Sequence, residues 1–300
     1  PDAAMARAGF VREDQNGIDV NDPHRTFVDD WPKPEILVAL SDFEGLCGFR
    51  DPHETRQLFD GLEVLTPTDP VLGSLTERSG SAALAETFLD CLAGDDMRRQ
   101  IVTEVVSGAV NHVGEDTPLG EFARTAVELD EYFPGDPSIL AALMLNRVHL
   151  KPGQALSVPP GIMHSYLSGT GVEIMADSNN VVRGGLTDKH IDVDSLIQIV
   201  SFQTQEPRIM AAQEVDPGVR VFPGTDDQFR LWHLDLDTTH PAMAPASGLA
   251  RILLITDGYA VCSSSHGTDE IVRGQAIWVP AGEQLQVDGD CEGFIAAAGL

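Results

Sequence analysis

The residues best placed to do chemistry are His164, Glu35, Arg183 and Lys189. His164 ends the run Gly153-x5-Pro159-x-Gly161-x2-His164 within LKPGQALSVPPGIMHSYLSG, which reads as a strand, a tight turn and a second strand carrying the imidazole. Glu35 follows Trp31-Pro32-Lys33-Pro34 and opens the apolar run Ile36 to Leu40. The two prolines hold the chain extended, so Lys33 and Glu35 project from one face at period two. A metal site in β structure takes imidazoles and carboxylates that converge from different strands, with a position left open for substrate or water. His164 and Glu35 are the candidates for it, with His149 in reserve. Arg183 and Lys189 could clamp a phosphate or polarise an oxyanion, Arg as a fork and Lys as a point charge. The plainer alternative is that each pairs with one of the many nearby acids.

The elements that would position these groups follow from pattern. The hairpin spacing resembles the second sequence motif of the cupins, small jelly-roll barrels that commonly hold a metal. A second copy, GQAIWVPAG at Gly274 to Gly282, matches GQALSVPPG at Gly153 to Gly161 in register, and Leu285 stands at the position of His164. The repeat predicts two barrels, the second without its ligand. Between Asp51 and about Leu145 the apolar residues take the helical period, in Glu54 to Leu62, Ala82 to Ala93, Met97 to Val110 and Leu119 to Tyr132. Asp95-Asp96 and Asp116-Thr117-Pro118 read as helix starts, and Asp2 to Val11 has helical composition. Glu173 falls on a strand, Asp177 to Asn180 on a polar turn, and Ile191 to Val200 is approached by a loop. Thr204 to Pro217 is linker-like. From Val219 the pattern is of short alternating strands, with turns at Pro223-Gly224, Asp257-Gly258 and Gly282. The expected fold is mainly β with a helical insertion: two cupin barrels plus an α-helical domain. The metal-bearing core covers 1–50 and 141–205, the insertion 51–140, and a degenerate cupin 206–300.

Charge and composition narrow the function. The 300 residues carry a formal net charge of -28, which argues against nucleic acid or an anionic membrane as partner, since both need a basic surface. A hydrophobic content of 42% suffices for a sizeable core. No apolar run is long enough to span a bilayer and no leader-like segment opens the sequence, so a soluble protein is expected. The start at Pro1-Asp2 reads as that of a fragment. Cys47, Cys91, Cys262 and Cys291 form no C-x-x-C pair and read as buried thiols in a reducing compartment, the cytosol. The lysines are Lys33, Lys151 and Lys189 alone, beside the motif stretches, which suits a site that handles an anion.

Three motifs together resemble one family. WPKPE with FEGLCGFR resembles the HKPE…FxxLCGFR region of type I mannose-6-phosphate isomerases, MHSYLSG resembles their PHAYLSG, and VEIMADSNNVVRGGLTDK resembles their VECMASSDNVVRAGLTPK. The resemblance implies one zinc ion per chain with Glu35 and His164 among its ligands. It gives Arg183 a part in assisting proton transfer and Glu173 that of an acid or base, with Lys33, Tyr166 and Lys189 lining the substrate cleft. It implies interconversion of mannose 6-phosphate and fructose 6-phosphate through a cis-enediol, by a cytoplasmic monomer. Two positions depart from the pattern. The family's other two zinc ligands come from a Gln-x-His-Pro-Asp motif, whereas this sequence starts at Pro-Asp, and Asn179 stands where the family commonly has Asp. The expectation is that the complete protein is the isomerase and that this polypeptide lacks half of its metal shell. The alternatives are a non-catalytic bicupin that binds a sugar phosphate, and an isomerase for another aldose phosphate.

Overall fold

The computed structural model describes residues 1–187, 191–224, 228–246 and 248–299. Its first β region is a two-sheet sandwich. Strands β1 (Glu35–Ala39), β2 (Phe43–Phe49), β3 (Leu145–Leu150), β4 (Gln154–Val158), β5 (His164–Ser168), β6 (Gly171–Met175) and β7 (Arg208–Ala211) form sheets in the orders β6-β1-β4-β7 and β3-β2-β5. Leu37, Ala39, Leu156 and Val158 of the first sheet share a core with Phe43, Cys47, Val148 and Leu150 of the second. The opposite face of the first sheet, with Ile36, Val38 and Ala155, packs on Phe222, Phe229, Leu231 and Phe294 of the C-terminal region. β1 is thus buried on both faces, which is why it reads as a continuous apolar run rather than an alternation.

Helices form a layer against β2. After α1 (Ala3–Gln15) come α2 (Pro52–Asp60), α3 (Asp69–Leu72), α4 (Ser74–Glu77), α5 (Gly80–Leu92), α6 (Asp96–Ala109), α7 (Pro118–Tyr132) and α8 (Ser138–Ala142). The expected starts hold: the Asp95 side chain accepts from the Arg98 amide, and Thr117 accepts from Gly120 with Pro118 in the first turn. The apolar faces of α2 to α8 bury against Leu46 and Phe49 of β2 and Leu145 of β3. The segment Ile191 to Val200, which the sequence left without an assigned element, contains helix α9 (Val193–Ile199), which Asp192 caps by accepting from the Ser195 amide.

The C-terminal sheet contains β8 (Gln213–Asp216), β9 (Val219–Val221), β10 (Phe229–Leu236), β11 (Ala242–Met243), β12 (Arg251–Ser264), β13 (Gly267–Val272), β14 (Ala276–Val279) and β15 (Gln286–Ala298). Two of these correct the expectation of short strands, since β12 has 14 residues and β15 has 13. Asp257-Gly258, read as a turn, lies inside β12, where the register with β15 shifts between Ile255 and Asp257. Gly258 has φ +71°, and a Cβ there would sit 2.0 Å from the Asp290 carbonyl oxygen. Turn-type residues serve here as a β-bulge that bends one long strand. Among the described residues no sheet closes on itself: the first region is two facing sheets with no ladder bond joining them, not a closed barrel. No helix among them is long and apolar enough to cross a membrane.

The internal repeat is present in the backbone. Gly153 and Gly274 both have φ +84°, and Gly161 and Gly282 have +87° and +85°. The Gln154 side chain accepts from the Lys151 amide at 2.8 Å, and Gln275 accepts from the Val272 amide at 3.0 Å. The four cysteines are free and buried, as expected.

Candidate functional site

The site lies at the open end of the sandwich interior, where inward-facing positions change from apolar to polar. Along β1 the inner face runs Glu35, Leu37, Ala39, and Leu37 is paired with Glu173 on β6. On β5 the alternate residues His164 and Tyr166 face the same interior. Glu35, His164, Tyr166 and Glu173, with Lys33 and Asn180, line a cleft of about 310 Å³.

His164 and Glu35 meet directly, Nε2 to Oε2 at 3.2 Å, and Lys33 Nζ lies 3.6 Å from Glu35 Oε1. The other ring nitrogen of His164, Nδ1, is 3.0 Å from the Ile162 carbonyl oxygen. A carbonyl can only accept, so Nδ1 carries a proton; Nε2 donates to Glu35 when the ring is an imidazolium and is the nitrogen left with a lone pair when the ring is neutral. Burial works against both charges, but the partners outweigh it. It raises the Glu35 carboxyl, yet His164 and Lys33 bring its pKa below the ordinary value. It lowers the His164 imidazole, yet Glu35, the Ile162 carbonyl and Glu173 bring it above. The Tyr166 hydroxyl donates to Glu173 Oε1 at 2.6 Å, and burial together with this carboxylate pushes the phenol pKa up.

The donor set suits zinc in part. Two ligand atoms of a tetrahedral zinc, each 2.0–2.1 Å from the ion, lie about 3.3 Å apart, close to the observed separation of Nε2 and Oε2. An imidazole with its second nitrogen held by a carbonyl is the usual form of a ligating histidine. Among the described residues no group of three or more His, Cys, Asp or Glu side chains is arranged to hold a metal. Glu35 and His164 therefore fit as two donors of a four-coordinate shell.

Of the residues expected at the site, Lys33, Glu35, His164, Tyr166 and Glu173 are brought together. Arg183 is set apart, in an adjoining cavity of about 370 Å³ that shares His164, Val181 and Val182 as a wall. Among the described residues it has no ion-pair partner. Lys189 lies outside the described residues. His149 is far from the cleft, on the outer side of β3, with Nδ1 3.0 Å from Glu44 and Nε2 2.7 Å from Glu121. Asn179, at the position of the family's Asp, gives its backbone amide to Asp29 at 2.8 Å. Sequence reasoning missed Asn180, in the cleft wall, and Asp29, to which it is hydrogen-bonded. The one available signal was the Asp-Ser-Asn-Asn run, whose composition says turn and nothing about its partner.

No protein-family model matches the chain. It is 29% identical over 279 residues to mannose-6-phosphate isomerase 2 of Arabidopsis thaliana, with 87% of this chain and 61% of that protein aligned. It is 28% identical over 284 residues to mannose-6-phosphate isomerase of Escherichia coli, with 94% and 70% aligned. The chain thus spans between about three-fifths and seven-tenths of the length of these relatives. A crystal structure of mannose 6-phosphate isomerase from Salmonella typhimurium, bound to substrate (fructose 6-phosphate) and zinc, shares the fold: the TM-score is 0.87 at 24% identity, covering 100% of this chain and 75% of that one. Over most of its length, the chain is related to the mannose-6-phosphate isomerases.

Proposed function

We propose that this protein is a zinc-dependent aldose-ketose isomerase that interconverts mannose 6-phosphate and fructose 6-phosphate through a cis-enediol. The observation that carries the reading is the half-buried His164–Glu35 pair, with its ligand nitrogen selected by the Ile162 carbonyl, in a chain aligned over 87% and 94% of its length with proteins named mannose-6-phosphate isomerase. Glu35 and His164 hold the zinc, which when bound supplies Lewis-acid stabilisation of negative charge on the sugar oxygens. Tyr166 fixes one oxygen of Glu173 by donating to it, leaving the other to take the proton from C2 of the aldose and return it to C1. Lys33 adds positive charge beside the cleft, and Arg183 and Lys189 supply cations for the phosphate end or for proton transfer. The same proposal takes 1–50 with 141–205, and 206–300, as cupin-type jelly rolls, with 51–140 as a helical insertion. The protein is then a cytoplasmic monomer that takes a phosphosugar, with no part for nucleic acid or membrane.

A second reading is a non-catalytic binder of sugar phosphates, which the lack of a third donor among the described residues favours. The test is a coupled assay of the interconversion with added zinc and with EDTA, alongside calorimetry of fructose 6-phosphate binding. Turnover abolished by EDTA supports the isomerase. Binding without turnover supports the second reading, and neither binding nor turnover overturns both.

A further inference from the structure

We infer that Asn180 is a positioning residue: with Asp29 it fixes the cleft wall of Val181 to Arg183 against the chain that delivers Lys33 and Glu35. The inference rests on the proposed function only in taking the cleft to be a phosphosugar site. Two segments meet here. One, Val28 to Trp31, runs through Pro32 directly into Lys33 and Glu35. The other, Ala176 to Asn180, leaves the Glu173 strand and continues into Val181, Val182 and Arg183.

The contact between them is made almost wholly by one amide and one carboxylate. Asn180 is 3% exposed. Its carbonyl oxygen accepts from the amides of Val28 and Asp29 at 2.9 and 3.2 Å. Its NH₂ group donates to the carbonyl oxygens of Asp29 and Trp31 at 2.9 and 3.0 Å and reaches Asp29 Oδ1 at 3.0 Å. Asp29 Oδ1 also accepts from the Ser178 hydroxyl at 2.9 Å and the Trp31 amide at 3.0 Å, while Oδ2 accepts from the Asn179 amide. One side chain thus satisfies donors and acceptors on a segment roughly 150 positions away, and a carboxamide supplies the acceptor oxygen and the two-proton donor that these contacts use. A carboxylate at 180 would face that of Asp29 and could donate to nothing. By contrast, Glu35 and His164 stand on strands held by their own ladders, so the staple governs the wall rather than the metal donors.

Asn180→Asp tests this, read by hydrogen exchange and by kinetics. Exchange of the amides in 28–31 and 176–183 is expected to rise about tenfold, with α7 and β4 unchanged. The KM for mannose 6-phosphate is expected to rise about tenfold with kcat nearly kept, and zinc uptake stays as in the parent chain. The double variant Asp29→Asn/Asn180→Asp restores an amide-carboxylate pair and is expected to recover part of both effects. Unchanged local exchange, exchange that rises throughout the chain, or an unchanged KM in an active variant would each overturn the inference. If the unaltered chain neither binds nor turns over phosphosugar, the proposed function fails, and the exchange pattern alone still decides whether Asn180 is the staple.

Discussion

The two β regions share a chain path and differ in what fills its inner end. β1 pairs with β4 as Glu35↔Val158, and β12 pairs with β14 as Arg251↔Val279. Since Val158 and Val279 are matching positions of the repeat, Arg251 is the counterpart of Glu35. In the same way Leu285 answers His164, and Ile295, paired with Leu253, answers Glu173, paired with Leu37. Glu35, His164 and Glu173 surround a cleft. Arg251, 1% exposed, instead donates to the carbonyl oxygens of Ala244, Pro245 and Glu283, and Leu285 and Ile295 close the core around it. The Arg251 Nε is a buried donor with no partner among the described residues. A second difference lies in the connections. Ser264 and Gly267 are paired across the two-residue turn Ser265-His266, whereas the corresponding strands β2 and β3 are separated by all of α2 to α8. One backbone frame therefore accepts either a reactive end or a sealed one, and either a tight turn or a helical layer, because function lies in the side chains grafted on it.

Grafting the sealed end onto the open one is the strongest way to break this comparison. Glu35→Arg with His164→Leu is expected to reduce zinc uptake and any isomerase activity by about a thousandfold or more while the far-ultraviolet spectrum is kept, because both donors are lost. Equilibrium dialysis and the coupled assay check it. Arg251→Met, in the second region, is expected to cost about 2–4 kcal/mol, since three carbonyls lose a charged donor inside the core. Denaturant titration measures that loss, and activity per folded molecule should not change.

The turn glycines sharpen the comparison at a finer scale. Gly161 and Gly282 share their positive φ, but a Cβ at Gly161 would lie 2.8 Å from the Ile199 carbonyl oxygen, while at Gly282 nothing lies within 4 Å. Gly282→Ala should cost about 1 kcal/mol, from backbone strain alone, and Gly161→Ala more, as read by the same titration. The smallest effect expected is that of pH on the metal-free chain. The Glu35 pKa lies below its ordinary 4.5 and that of His164 above its ordinary 6.5. The stability from Glu35 is thus present above pH 4.5 and lost as pH falls through its depressed value. That from His164 is present below pH 6.5 and lost as pH rises through its raised value. The Tm of the parent chain should exceed that of Glu35→Gln by about 2–4 °C between pH 4.5 and 6.5 in EDTA, and the gap should narrow above that range. Stabilisation by added zinc should run the other way and grow with pH, because the ligand must be a neutral imidazole. A gap independent of pH would show that the pair is not ionic.

Much of the site was legible because its residues sit on regular strands with strong local signals. Pro32 and Pro34 announce the extended approach to Glu35, and Pro159 and Gly161 announce the turn before His164, so period two alone puts these side chains on one face. The helices were legible from period and caps, as at Asp95 and Thr117. Arg183 was less so. It follows an irregular segment, and nothing local says that Val181 and Val182 place it in the adjoining cavity. The staple in the cleft wall was not legible at all, since Asn180 lies in a stretch that reads as a polar turn and Asp29 in one that carries no signal of its own. Asp257-Gly258 misled for a related reason: the same residue types suit a turn and a bulge, and only a partner strand on each side distinguishes the two.

By itself the sequence determined the strand and helix periods, the repeated hairpin with its four left-handed glycines, and which side chains near it could bind a metal. These follow from covalent geometry and local propensity, which act over a few residues. The tertiary structure alone decided that Glu35 and His164 touch and that Arg251 seals the place which Glu35 leaves open. The first depends on strand pairings between residues more than a hundred positions apart, Glu35 with Val158 and Cys47 with His164, and the second on the pairing of Arg251 with Val279 and Ala297; there packing and the satisfaction of buried polar groups choose among partners that local sequence leaves equal.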